Sequence, residues 1–380
     1  MVATDSYAGG DGRLSPLSTP SATRAVLEAH GIGTKYTLGQ NFLVNDDVLK
    51  KIIALAEVGE DDRILEVGPG IGTLTIALLK HAAGVVAIER DPDLPAVLAD
   101  TLHPWREKFA LIEKDALDVT RDDIVAAMVE IGGDTGYPDR ASSAANETAQ
   151  WAVSQSEDCL SESGYPVAPP QEDLQLSLPS KLVANLPYAV AATVVLDYFE
   201  SFPFLDSATI MVQKEVADRM AAAVGTKNYG AYTVKLGLYA EPVGRFAVGP
   251  GNFFPPPRVD SAVIRLNRRV PLMADGAPAS PEVIAAAALM ADAAFTNRRK
   301  TIANSCKTYF SGRGPILLGV ADSLAAEGAP TIALPDGAAT AERLPAIFDA
   351  AAIDSRRRGE TLTQQEFLAL GAALLKVTAA

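Results

Sequence analysis

The sequence predicts an α/β fold in which a Rossmann-like, largely parallel sheet comes first and a smaller helical domain follows. Three observations carry that prediction. The apolar run Arg63–Val67 feeds the turn Gly68-Pro69-Gly70-Ile71-Gly72 and then a helix over Thr73–Leu79. Two further apolar runs, 85–88 and Phe109–Ile112, are followed by the carboxylates Glu89 and Asp115. Ligands bind where the strands of a parallel sheet end, so carboxylates repeated at that edge mark a site. After a final strand at 263–266 the chain turns Ala-rich with helical spacing.

Each segment can be justified in chain order. Residues 1–22 are rich in Ser, Pro and Gly without an apolar centre, which predicts a disordered tail and excludes a secretion signal. In the glycine turn, Thr73 stands where a dinucleotide fingerprint needs its third glycine, which disfavours nicotinamide and flavin. Glu89 lies roughly 20 residues beyond the first glycine, the usual place of a carboxylate that binds ribose hydroxyls. Asp115 is placed to accept from an adenine amine. Residues 134–180 hold eight acids and one base, Arg140, with Pro169-Pro170 and few aliphatics, the composition of a mobile acidic insert. Such an insert could compete with RNA for a basic face. Beyond 270, helices are predicted at 281–294, 301–310, 342–351 and 363–375. Thr363 with Glu366 forms a capping box for the last of these. Residues 312–341, with repeated Gly and Pro, read as loose.

The tetrapeptide Asn185-Leu186-Pro187-Tyr188 follows the apolar run 182–184. The N6 amine of adenine is a weak nucleophile because its lone pair is delocalised into the ring. The Asn185 amide oxygen, with the main-chain carbonyl before or at Pro187, could accept both N–H bonds and hold the nitrogen in line for attack. Pro187 would fix those acceptors in advance, and Tyr188 offers a flat face for an extruded base. With a nucleoside cofactor at the glycine turn, this points to methyl transfer from S-adenosylmethionine to an exocyclic amine.

The chain resembles the small-subunit ribosomal RNA adenine N6,N6-dimethyltransferase family. The resemblance rests on six ordered segments that cover most of residues 35–310: Leu38-Gly39-Gln40-Asn41-Phe42-Leu43, the turn at 66–72, Asn185-Leu186-Pro187-Tyr188, Gln213-Lys214-Glu215-Val216, 253–263 and 295–301. It implies a class I S-adenosylmethionine-dependent methyltransferase domain over 23–270 and a helical RNA-guiding domain over 271–380. It also implies a cofactor site of Asn41, Leu43, Gly68, Gly70, Glu89, Asp115 and Asn185. Asn185, Pro187, Tyr188 and Phe253 would act on the target, with Phe253 as a second aromatic wall opposite Tyr188. Phe253 equally suits core packing at the start of a strand. Two adjacent adenines of the terminal stem-loop of small-subunit rRNA would be the substrate, within the immature small subunit.

No other chemistry has its parts in the sequence. His30, His81 and His103 fall outside every motif, and Cys159 and Cys306 lack metal-ligand spacing, so no metal is expected. Two cysteines in 380 residues suit a reducing cytoplasm, no apolar run reaches membrane-spanning length, and no obligate protein partner is evident. A net charge of −14 opposes an RNA partner, but residues 208–310 carry thirteen bases against seven acids. Arg258, Arg298, Arg299 and Lys300 are the expected RNA contacts, and Arg265, Arg268 and Arg269 add to the same basic stretch. Two alternatives stay open: a large-subunit rRNA methyltransferase that confers antibiotic resistance, and a non-catalytic ribosome-assembly factor.

Overall fold

A computed structural model describes residues 12–33, 40–131, 178–319 and 331–379. The chain opens with helix α1 (Pro20–Ala29), the short strand β1 (Phe42–Leu43) and helix α2 (Asp46–Ala56). The alternating core follows: β2 (Arg63–Val67), α3 (Thr73–Leu79), β3 (Gly84–Ile88), α4 (Leu94–Thr101), β4 (Phe109–Ile112) and α5 (Arg121–Glu130). Then come β5 (Lys181–Asn185), α6 (Ala191–Ser201), β6 (Ser207–Gln213), α7 (Lys214–Met220), α8 (Ala231–Gly237), β7 (Ala240–Val248), β8 (Phe253–Phe254) and β9 (Ser261–Arg268). The C-terminal part comprises α9 (Pro281–Phe295), α10 (Ile302–Ser311), the hairpin β10 (Pro315–Gly319) and β11 (Thr331–Asp336), α11 (Gly337–Ala350) and α12 (Gln364–Ala379).

Seven strands form one sheet in the order β4-β3-β2-β5-β6-β9-β7. The first five are parallel, and β9 runs antiparallel to both of its neighbours. Every residue of β3 and the first six of β6 are buried, as expected for strands covered by helices on both faces. One core layer packs around Met128, Val194, Tyr198 and Ile210, and the other around Leu49, Ile52, Ile76 and Leu98. The chain moves outward from β2 to β4 and then returns to β5 on the other side of β2. That reversal opens a crevice at the carboxyl ends of β2 and β5.

A third core joins α9 to α12 with Tyr229 and Val234, so α8 belongs to the helical packing although it precedes residue 271. Thr363 and Glu366 form the expected capping box, with Glu366 Oε2 accepting from Thr363 N–H at 2.8 Å. Within 312–341, β10 pairs with β11, so this segment is a hairpin stem rather than an open loop, its tip lying outside the described residues. The expected tail is shorter than 22 residues. Leu17 is buried, and Asp46 Oδ1 accepts from the backbone N–H groups of Leu14 and Ser15 at 2.8 and 3.2 Å. Residues 1–11 lie outside the described residues, as do 34–39 and, of the acidic insert, 134–177.

The basic stretch is largely structural. The Arg268 guanidinium donates to the carbonyls of Phe199, Phe202 and Leu205 at 2.9, 2.8 and 2.6 Å, satisfying backbone acceptors where α6 ends. Arg265 bonds the Leu55 carbonyl and pairs with Glu57, and Arg269 donates to Gln364 on α12. Their charge is spent inside the fold, so it corrects the reading of this stretch as one RNA-facing surface. Arg268→Ala is expected to destabilise the protein by roughly 2–4 kcal/mol in urea unfolding, because three carbonyls each lose a charged donor and only that of Phe202 keeps another, the Leu205 N–H. Arg268→Lys should recover only part, since an ammonium cannot match the planar fork. A loss below about 1 kcal/mol for the alanine variant would contradict this role.

Candidate active site

The crevice holds a cavity of about 490 Å³, within the size range of small-molecule sites. Three chain segments build it. The glycine turn after β2 forms its floor, with φ of 72° at Gly68 and 60° at Gly70, a backbone that side chains resist. A Cβ on Gly70 would stand 3.1 Å from the Phe42 ring, and one on Gly68 would stand 3.5 Å from Pro187 Cδ. The glycines therefore let the other two segments close over bare backbone.

The second segment is 40–43, anchored at both ends. Gln40 Nε2 donates to Asp91 Oδ2 at 2.7 Å, and β1 pairs with β8 through Phe42 with Phe254 and Leu43 with Phe253. The third is Asn185 to Tyr188, leaving the end of β5. Asn185 Nδ2 donates to the Asn41 carbonyl at 3.2 Å, which turns its Oδ1 into the remaining acceptor. The Pro187 carbonyl accepts from both Val190 and Ala191 N–H, at 3.2 and 3.1 Å. It is thus committed to the turn into α6, and the Leu186 carbonyl, used by none of these bonds, is the better second acceptor. Tyr188 Oη pairs with Ser261 Oγ at 2.6 Å, and Ser261 is fully buried. That bond fixes the ring on the cavity wall, while burial pushes its phenol up.

Carboxylates line the opposite end. Glu89 Oε1 accepts from the Arg90 and Asp91 N–H groups, both at 2.9 Å, while burial holds its carboxyl above the usual range. Asp115 pairs with Arg90 Nη1 at 2.8 Å and accepts from Leu117 N–H, and both contacts hold its carboxyl below the usual range. Beneath the glycine turn, Glu66 is 1% exposed, and burial, with the charge of Glu89 adding to it, pushes its carboxyl up to about 8. Glu66 Oε2 and Thr73 Oγ1 line the cavity, buried and without a hydrogen-bond partner. Two orphaned polar atoms beside a bare glycine backbone and strand-end carboxylates fit a polar nucleoside ligand.

The sequence-predicted residues Asn41, Leu43, Gly68, Gly70, Glu89, Asp115, Asn185, Pro187 and Tyr188 all line this cavity. Phe253 does not. It is 4% exposed, inside the core with Phe42, Leu43 and Val248, so its alternative role as a packing residue is the one the structure supports. Its partner strand supplies Leu43 to the cavity, and Phe253 backs that residue instead of facing Tyr188. Arg258, Arg299 and Lys300 are exposed and lie away from the cavity lining. Arg298 is exposed too, but its guanidinium is already engaged, Nε with Glu360 at 2.8 Å and Nη2 with the Thr226 carbonyl at 2.9 Å. Sequence reasoning missed Glu66, Gln40 and Ser261 as site-building residues. The position of Glu66 directly before the glycines was the one usable signal. Among the described residues no cluster of three metal-ligating side chains occurs, and no helix is long and apolar enough to cross a membrane.

A sheet with one reversed strand, a glycine turn and an Asn-Leu-Pro-Tyr exit meet over one cavity, the arrangement of an S-adenosylmethionine-dependent methyltransferase. Comparisons with known proteins narrow the class. A family model described as ribosomal RNA adenine dimethylase matches residues 33–321, and the chain belongs to that family. The ribosomal RNA small subunit methyltransferase A of Enterococcus faecalis is 33% identical over 365 residues, 95% of this chain and 97% of the relative. The protein of the same description from Geobacillus sp. is 32% identical over 361 residues, 95% and 98% of the two chains. A solved dimethyladenosine transferase from Plasmodium falciparum has the same fold, with a TM-score of 0.55 at 19% identity, covering 88% of this chain and 98% of its own.

The Glu66 carboxyl makes a pH prediction. Its pKa is raised from 4.5 to about 8, so the folded protein keeps a proton that the unfolded chain releases above 4.5. Stability from this group is complete below that point and is lost as pH rises through about 8. Between about pH 5 and pH 9 the ligand-free protein should lose on the order of 3 kcal/mol through this group. Glu66→Gln should flatten the profile; an unchanged slope in urea titrations at both pH values would rule out a protonated Glu66.

Proposed function

We propose that this protein transfers methyl groups from S-adenosylmethionine to N6 of two adjacent adenines in the 3′-terminal stem-loop of small-subunit (16S) rRNA, giving N6,N6-dimethyladenosine. The immature small subunit in the cytoplasm is the proposed substrate particle, and the modification is a step of small-subunit biogenesis. The observation that carries the reading is the Asn185 amide held by the Asn41 carbonyl, because it fixes an acceptor beside a cavity already suited to a nucleoside. Full-length relatives described as small-subunit methyltransferases support the choice of rRNA.

In this reading S-adenosylmethionine supplies an electrophilic methyl group on a sulfonium. Asn185 Oδ1 and the Leu186 carbonyl accept the two N–H bonds of the target amine and keep its nitrogen lone pair in line with that carbon. As the new C–N bond forms, the C–S electron pair returns to sulfur, and the surplus proton leaves the alkylated nitrogen for solvent. Tyr188, fixed by Ser261, stacks one face of the extruded ring. Glu89 binds the cofactor ribose and Asp115 its adenine amine, while Glu66, Asn41, Leu43, Gly68 and Gly70 shape the remaining wall. Arg258, Arg299 and Lys300 are the proposed phosphate contacts, exposed and free to reach RNA.

Positioning of this kind is worth about two or more orders of magnitude in rate. Asn185→Ala should therefore lower kcat by roughly 100-fold or more while weakening cofactor binding by less than about tenfold. The assay uses purified protein, labelled S-adenosylmethionine and immature small subunits, with large subunits in parallel and nucleoside analysis of the product. Label as N6,N6-dimethyladenosine in the small subunit alone is the expected result. Label confined to the large subunit would overturn the substrate assignment.

A further inference from the structure

Asp115 and Arg90 face each other across the rim of the cavity, at the ends of β4 and β3, and their contact has no role in the reaction so far described. Arg90 Nη1 lies 2.8 Å from Asp115 Oδ2, and both residues line the cavity. Asp115 Oδ1 accepts from Leu117 N–H at 3.2 Å. The carboxylate is therefore held at both oxygens, one by its own backbone and one by a side chain from the neighbouring strand. Each oxygen keeps a further lone pair. The other cation on the cavity wall, Lys114, is paired with Asp123 at 2.6 Å and does not compete for Asp115. Glu89 is fixed by the backbone N–H groups of Arg90 and Asp91, so the Arg90 side chain is not required to hold it.

We propose that Arg90 is a positioning residue for recognition of the cofactor's adenine amine: it sets the rotamer of Asp115 so that a carboxylate oxygen meets the amine, and it thereby determines selectivity for a 6-amino purine. This rests on the assignment of Asp115 as the adenine acceptor. The pair is partly exposed, with side-chain exposures of 49% for Arg90 and 33% for Asp115, so it adds little to folding stability. Its value lies in preorganisation. A carboxylate that rotates freely must lose that freedom when the ligand binds, and a preset one has already lost it. Asp115 is ionised near neutral pH, the form that accepts from an amine and repels a 6-oxo group, and Arg90 lowers its carboxyl further.

The test compares two ligands on three proteins by calorimetry: S-adenosylhomocysteine and S-inosylhomocysteine, which carries an oxygen in place of the amine. Wild type should prefer the adenosine ligand by about 10- to 100-fold, the worth of a hydrogen bond to a charged group. Arg90→Ala should lose about three- to tenfold of that preference, the cost of ordering one side chain, with its thermal unfolding unchanged. Arg90→Lys, which keeps the charge without the planar fork, should fall between. Wild-type selectivity retained in full by Arg90→Ala would overturn the role of Arg90 alone. Absence of selectivity in wild type would instead remove the Asp115 assignment, and the inference with it.

Discussion

Asn185 donates across 144 residues of chain to the Asn41 carbonyl, and that contact is possible only because nothing but backbone lies beneath it. Gly68 and Gly70 occupy left-handed conformations, and a side chain at Gly70 would strike the Phe42 ring. Any other residue at Gly70 would press on the Phe42 ring, and the left-handed backbone at both positions would strain its side chain. The cavity, the orientation of the Asn185 amide and the covering of the cofactor end all depend on this close approach. Parallel topology supplies the rest, since the reversal between β2 and β5 opens a crevice at the carboxyl ends of these strands.

Around that approach the site is organised as two differently solvated ends. At one end, Glu66 is buried and protonated near neutrality, and Glu89 is dry but held by backbone donors. At the other, Asn185 and the Leu186 carbonyl present neutral acceptors and Tyr188 an aromatic face. The arrangement needs no general base: displacement at a sulfonium methyl requires alignment of the amine, and the proton can leave afterwards. Fixed neutral acceptors are better suited to alignment than a titrating group, because they do not change with pH. Ser261 serves this end indirectly by fixing Tyr188, and Gln40, itself on the cavity wall, anchors the 40–43 segment to Asp91.

The distribution of arginines separates fold from function. Arg265, Arg268, Arg269 and Arg298 are each bonded to backbone carbonyls or to side chains of distant elements. Arg269, at the end of β9, joins the sheet to α12 through Gln364, and Arg298 ties the α9–α10 connection to Glu360 and to the Thr226 carbonyl. The guanidinium suits this work because its planar fork satisfies several acceptors at once. In an acidic protein, local positive charge in the sequence is then a poor measure of an RNA-binding face. What separates these arginines is whether folding gives the guanidinium a partner: Arg298 is exposed yet paired with Glu360, and Arg258, Arg299 and Lys300 are exposed.

The chain by itself determined the alternating strands and helices, the glycine turn, the strand-end carboxylates and the Asn-Leu-Pro-Tyr exit. These are local patterns: a parallel strand buried on both faces is mostly apolar, and a left-handed turn favours glycine. It also determined the capping box at Thr363, which needs only residues three apart. Tertiary structure decided what depends on distant partners. Phe253 could be a wall or a core residue until β8 paired with β1 and buried it. The choice between the Leu186 and Pro187 carbonyls waited on Val190 and Ala191 turning back into α6. The structural arginines and the Arg90–Asp115 contact were likewise invisible, because a charge in sequence carries no record of which carbonyl or carboxylate folding will bring against it.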